Sequence, residues 1–92
     1  MSSSGKYKIV IIKSAQKDKE KILKYPALKT NVDNLLKILE NNPFQNPPHY
    51  EKLSGELNMF YSRRINSQHR LVYMVYKKEK IVKIVSMWTH YE

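Results

Sequence analysis

The sequence predicts an α+β domain in which an early strand and a helical hairpin pack on an antiparallel sheet. Three observations carry this reading. Leu28, Val32, Leu35, Leu36 and Leu39 recur at helical spacing. From Met59 onward the chain becomes rich in Val, Ile, Tyr and Trp, which favour strands. Asn66-Ser67-Gln68 and Lys77-Lys78-Glu79 then break that half into three segments at turn-like positions.

The elements follow in order. Lys6 to Lys13 (KYKIVIIK) is a short β-branched run flanked by lysine, and reads as a strand. Ser14 stands at an N-cap position, followed by a charged, helix-favouring stretch from Ala15 to Tyr25 that Pro26 ends or kinks. Leu28 to Glu40 is the clearest helix, its apolar stripe belonging to the core. Asn41-Asn42-Pro43 stops it, and Phe44 to His49 is an irregular loop containing Pro47-Pro48. Tyr50 to Asn58 has no assignable pattern. Met59–Ile65, Arg70–Tyr76 and Lys80–Tyr91 form an antiparallel meander.

Ninety-two residues suffice for one core. The content of 41% hydrophobic and 27% charged residues is that of a globular chain, and with no cysteine neither disulfides nor thiolate metal sites can hold it together. No apolar stretch approaches the ~20 residues of a membrane span, and Met1 to Gly5 reads as a flexible lead-in without the apolar region of a secretory signal. A cytoplasmic location is expected. The net charge of +9 favours polyanionic partners, nucleic acid above all; a lysine-rich surface serving solubility is the plainer account.

All the arginines are confined to Arg63, Arg64 and Arg70; every other basic residue is lysine. Arginine offers a planar fork that grips phosphate at two points, so the grouping points to phosphate handling. If the first turn centres on Ser67, Arg64 lies opposite Arg70 on one face, and Arg63 points to the other. If the second centres on Lys78, Arg70 lies opposite Ser86 and shares its face with Trp88 and His90; a one-residue slip substitutes Tyr91 for His90. Two like charges across a ladder are unfavourable unless an anion bridges them. Ion pairs of Arg64 and Arg70 with Glu51, Glu56 or Glu79 are the alternative. His69, preceding Arg70, reads as structural; His49 lies beside two prolines with no evident partner; His90 is either an edge residue or catalytic.

Only Gly5 and Gly55 are glycines, so no glycine-rich phosphate loop exists, and neither a metal-ligand spacing nor a serine-nucleophile elbow occurs. The remaining chemistry is metal-free and cofactor-free, using carboxylate, histidine, tyrosine and arginine. Those groups suit RNA cleavage by a neighbouring 2′-hydroxyl, with a base, an acid and arginines to stabilise the charged phosphorane.

Tyr61-Ser62-Arg63-Arg64-Ile65-Asn66, then His69-Arg70-Leu71-Val72-Tyr73, and finally Thr89-His90-Tyr91 resemble the YoeB/Txe family of bacterial toxins, in the RelE-like superfamily. Asn42-Pro43-Phe44 and Tyr50-Glu51-Lys52-Leu53 are similar too. The resemblance implies a RelE-like fold over residues 6–92 and a ribosome-dependent mRNA endonuclease cutting in the ribosomal A site. By position it implies Glu51 as general base, His90 as general acid, Arg70 as transition-state stabiliser, and Arg64 and Tyr91 as assisting residues. Lys52 and Arg63 are expected to contact RNA. The implied partners are a cognate antitoxin of YefM or Axe type, the 70S ribosome and its mRNA, a second toxin copy, and operator DNA only together with antitoxin. No membrane partner is expected. Asn58-Met59 stand where the family commonly has Ser-Gly, and Ser54 where lysine is frequent. The alternative is a non-catalytic RelE-like protein that binds RNA or antitoxin and acts in operon regulation. The full set Glu51, Arg64, Arg70, His90 and Tyr91 favours the enzyme. A sequence-specific DNA-binding domain is weaker, since no helix groups base-reading residues.

Overall fold

β1 (Lys8–Ile11) opens the fold, its β-branched residues favouring extended backbone. The computed structural model describes residues 6–53 and 59–88. Ile12 stays extended because its N–H donates to the Ile84 carbonyl at 3.2 Å, and α1 (Lys13–Ile22) starts immediately after it. Ile12 is therefore the N-cap, with no side-chain cap bond, and the expected Ser14 cap lies inside the first turn. α1 ends at Ile22, before Pro26 could break it. Pro26 instead begins α2 (Pro26–Asn41), where its missing N–H has no helical partner to lose. Leu28, Val32, Leu35 and Leu39 are buried as the spacing predicts, with Leu36 packed beside them.

After the loop come four strands: β2 (Tyr50–Lys52), β3 (Phe60–Arg64), β4 (Arg70–Tyr76) and β5 (Ile81–Ser86). The sheet order is β1-β5-β4-β3-β2. β2 to β5 pair antiparallel, as the meander requires, but β1 joins β5 in parallel, so the sheet is mixed. Leu71, Tyr73, Val82 and Ile84 form the sheet face that meets the helical stripe, together with Ala15 and Ile22 of α1. Asp18 of α1 ties this layer to the end of β5 by accepting the Met87 N–H at 3.1 Å.

The first turn gives the predicted pairing, Arg64 opposite Arg70. The second does not. Four residues, not three, separate Tyr76 from Ile81, and Lys80 adopts φ 60 to close the turn. An irregularity at Val72/Tyr73 shifts the ladder further, so Ser86 faces Val72 and not Arg70. The expected strand over Lys80–Tyr91 ends at Ser86, and its residues 89–91 lie outside the described residues.

Candidate active site

The meander divides the three arginines between two surroundings. Alternation turns Arg63 to the helix side of β3 and Ser62 and Arg64 to the other. Arg63 is only 1% exposed. Its Nε donates to the Tyr73 hydroxyl at 3.1 Å, Nη1 to the Pro48 carbonyl at 2.8 Å, and Nη2 to the Pro43 and Gln45 carbonyls at 3.0 and 2.9 Å. The guanidinium also lies 4.9 Å from the centre of the Tyr50 ring. Tyr73 donates in turn to the Pro43 carbonyl at 3.1 Å. Burial pushes the Tyr73 phenol above its ordinary range, with the nearby Arg63 charge acting against that rise. The expectation that Arg63 contacts RNA does not fit this placement, because its donors are turned inward onto the loop.

On the opposite side, Pro48, His49, Glu51, Ser62, Arg64 and Arg70 line an open cleft of about 330 Å³. Glu51, Arg64 and Arg70 each come from a different strand. Glu51 of β2 pairs with Ser62 of β3, and Arg64 of β3 pairs with Arg70 of β4. This ladder geometry sets one carboxylate beside two guanidinium groups. Arg70 Nη1 approaches Glu51 Oε1 at 3.4 Å, so the ion-pair alternative weighed from sequence is realised between these two. His49 Nε2 lies 3.7 Å from Glu51 Oε2, giving His49 the neighbour that sequence did not name. Its place two residues before Glu51 in an extended segment was the available signal. Ser62 and Pro48 also line the cleft; only the strand pairing and the loop's path bring them there.

Lys52 does not join this group. Alternation turns it away from Glu51, and it borders a separate recess with Met59, Tyr61, Met74, Val75 and Tyr76. Trp88 is also placed otherwise than expected. It stacks on His69 at 4.2 Å, lies 6.0 Å from Tyr25, and has the Lys21 ammonium 5.5 Å from its ring, all away from the arginine cleft. His69 is buried, as its structural reading requires. His90 and Tyr91 lie outside the described residues. Among the described residues, no cluster of three or more His, Cys, Asp or Glu side chains could hold a metal ion.

Chemically, the cleft combines a proton acceptor in Glu51 with two permanent cations, on a surface open enough for a polymer. Such a set can hold an anion and exchange a proton beside it. The comparisons with known proteins agree with the sequence motif. The family model for the YoeB-like toxin of bacterial type II toxin-antitoxin systems matches residues 13–91. Toxin YoeB of Synechocystis sp. is 34% identical over 77 residues, covering 84% of this chain and 80% of that protein. The YoeB-YefM complex from Staphylococcus aureus matches with a TM-score of 0.80 at 32% identity, covering 92% of this chain and 98% of the other. The YoeB dimer from the same organism gives a TM-score of 0.79 at 32% identity, with coverages of 94% and 99%. With the arginine motif, the fold and a family match over residues 13–91 in agreement, this chain belongs to the YoeB-like toxins of bacterial type II toxin-antitoxin systems.

Proposed function

We propose that this toxin is a ribosome-dependent mRNA endonuclease acting in the ribosomal A site. The observation carrying the proposal is the convergence of Glu51, Arg64 and Arg70, from three strands, on one open cleft. Glu51 removes the proton from an RNA 2′-hydroxyl, whose oxygen attacks the adjacent phosphorus. The bond from phosphorus to the 5′-oxygen breaks, leaving a 2′,3′-cyclic phosphate, and His90 gives the departing oxygen its proton. Arg70 and Arg64 stabilise the negative charge that builds on the phosphoryl oxygens, with Tyr91 assisting. The step is metal-independent, since proton transfer and charge stabilisation are all supplied by side chains.

The Glu51–Arg70 contact is long and solvent-exposed, so opening it for an incoming phosphate costs little, on the order of 0–1 kcal/mol. The ribosome positions the mRNA, and the net charge of +9 supports docking on ribosomal RNA. An antitoxin of YefM or Axe type neutralises the toxin, in line with the Staphylococcus aureus YoeB-YefM complex, and joins it on operator DNA. Self-association follows the pattern of the YoeB dimer from that organism. Residues 6–92 act as one domain, and the working location is the cytoplasm. Among the described residues no helix is long and apolar enough to cross a membrane.

Primer extension on a translated mRNA, with and without ribosomes, tests this reading. Cuts are expected only with ribosomes, and Glu51→Gln should slow them about 10²–10⁴-fold, the range for loss of a general base. Cleavage of naked mRNA would refute ribosome dependence. No cleavage by the wild type under either condition would favour a binding protein.

A further inference from the structure

Glu51 sits on the most weakly held strand of the sheet. β2 is at its edge, and among the described residues Tyr50, Glu51 and Lys52 are laddered to β3, with one further backbone bond from the Leu53 N–H to the Phe60 carbonyl at 2.9 Å. A one-residue slip there would send the carboxylate to the wrong face and bring Tyr50 or Lys52 to the cleft. So short a described run of pairs at an edge is a weak safeguard against such a slip. The segment leading into β2 is an irregular proline-containing loop, which has no helix or ladder of its own to fix it.

Besides short-range bonds within it and the Tyr73 hydroxyl on Pro43, that loop is held by Arg63. Its fork takes three carbonyls spread along it, those of Pro43, Gln45 and Pro48, and the last lies three residues before Glu51. Arg63 is also the ladder partner of Tyr50 and carries its charge over that ring, so one side chain holds both the loop and the first residue of β2. Phe44 and Tyr61 complete the support, their rings lying 6.2 and 5.9 Å from Tyr50. Pro48 and His49, the residues between clamp and strand, themselves line the cleft.

We propose that Arg63 is a positioning residue for catalysis: by clamping the 43–48 loop it sets the register and approach of Glu51 at the cleft. The proposal rests on the endonuclease reading for its kinetic consequence, but its structural half stands apart from that reading. Arg63 touches no substrate. It acts through the loop, and its planar fork is essential because one ammonium cannot reach three separated carbonyls and a phenol.

The test compares Arg63→Lys with wild type in three measurements: amide exchange along the chain, toxin affinity for the ribosome, and the single-turnover cleavage rate at saturating toxin. The expected result is faster exchange confined to residues 43–52, ribosome affinity within about threefold of wild type, and a cleavage rate lowered about a hundredfold, the scale for misplacement of a reacting group by about 1 Å. A loosened loop with an unchanged rate would overturn the proposal, as would a slowed rate with an unchanged loop. Should Arg63→Lys fail to fold, Tyr73→Phe removes one anchor of the guanidinium, together with the phenol's own bond to the Pro43 carbonyl, and leaves the Arg63 charge in place. It should loosen the loop and slow cleavage in parallel, by about tenfold or less, and loosening without slowing again overturns the proposal. If the wild type itself does not cut, the endonuclease reading fails, and the Glu51 carboxyl resonance in ¹³C NMR decides the matter. Broadening or doubling of that signal in the variant supports the clamp; an unaltered signal refutes it.

Discussion

Arg63 and Arg64 are consecutive residues on one strand, yet they belong to different chemical worlds. Arg63 is sealed against a phenol and three main-chain carbonyls at 2.8–3.1 Å. Arg64 lies exposed at the cleft, opposite Arg70, whose contact with Glu51 is long at 3.4 Å and open to solvent. The difference lies in what meets the guanidinium. Neutral oxygens arranged around the fork, three carbonyls and a phenol, take four of its five N–H donors. The Glu51 carboxylate lies farther from Arg70, in solvent, and under the proposed function a phosphate displaces it from there and bridges both forks. Identical side chains thus become fastener and gripper through strand alternation alone.

The sharpest way to break that comparison is to truncate the fastener. Arg63→Ala leaves a buried phenol and three carbonyls without their shared donor, and should lower stability by about 3–5 kcal/mol, as when one partner of a buried charged contact is lost. Urea denaturation measures this; a loss below about 1 kcal/mol would mean that the loop holds itself. Truncating the gripper should have the reverse profile. Arg70→Ala is expected to slow ribosomal mRNA cleavage about 10²–10³-fold while altering stability by less than about 1 kcal/mol. A variant that cuts at nearly the wild-type rate would remove Arg70 from the chemistry.

The smallest expected effect is a pH dependence arising from the fastener. Tyr73 holds its proton more tightly when folded because burial raises its pKa, Arg63 opposing. Its contribution to stability is therefore constant below the unfolded phenol value of about 10, and falls as pH rises from there through the folded value. Thermal melts across that alkaline range should show the decline, and Tyr73→Phe should flatten it. An equally steep decline in that variant would assign the titration to other groups.

Local chemistry decided what could be read from the sequence. The Arg64–Arg70 pairing was legible because Asn66 makes its own turn, its side-chain oxygen accepting from the N–H groups of Gln68 and His69 at 2.8 and 2.7 Å. The next turn, Lys77 to Lys80, has no glycine, proline or asparagine to mark its length, so the register beyond it was misplaced by the extra residue. β2 was invisible because three residues carry no period; its existence depends on β3 as a template. Arg63's inward role was half legible. Alternation gave its face, but its partners at Pro43, Gln45 and Pro48 are 15 to 20 residues away in a loop without periodicity. The base role of Glu51 came from family resemblance, since nothing in its spacing singles it out. What the structure adds is its place beside the arginines.

The parallel pairing of β1 with β5 has a consequence for the order of assembly. Lys8 and Ile81 are ladder partners, and their separation of 73 positions makes this among the most distant closures in the chain. Closing so long a loop is entropically slow compared with forming helices or hairpins. The meander and the helical hairpin can each form from neighbours, whereas β1 must wait for the strand made last. Until then Ile9 and Ile11 have no β5 to pair with, and the nascent toxin carries an unpaired, β-branched strand. Newly made protein is thus most open to mispairing, or to capture by another chain, at the very stage when its cleft residues in β3 and β4 can already be in register.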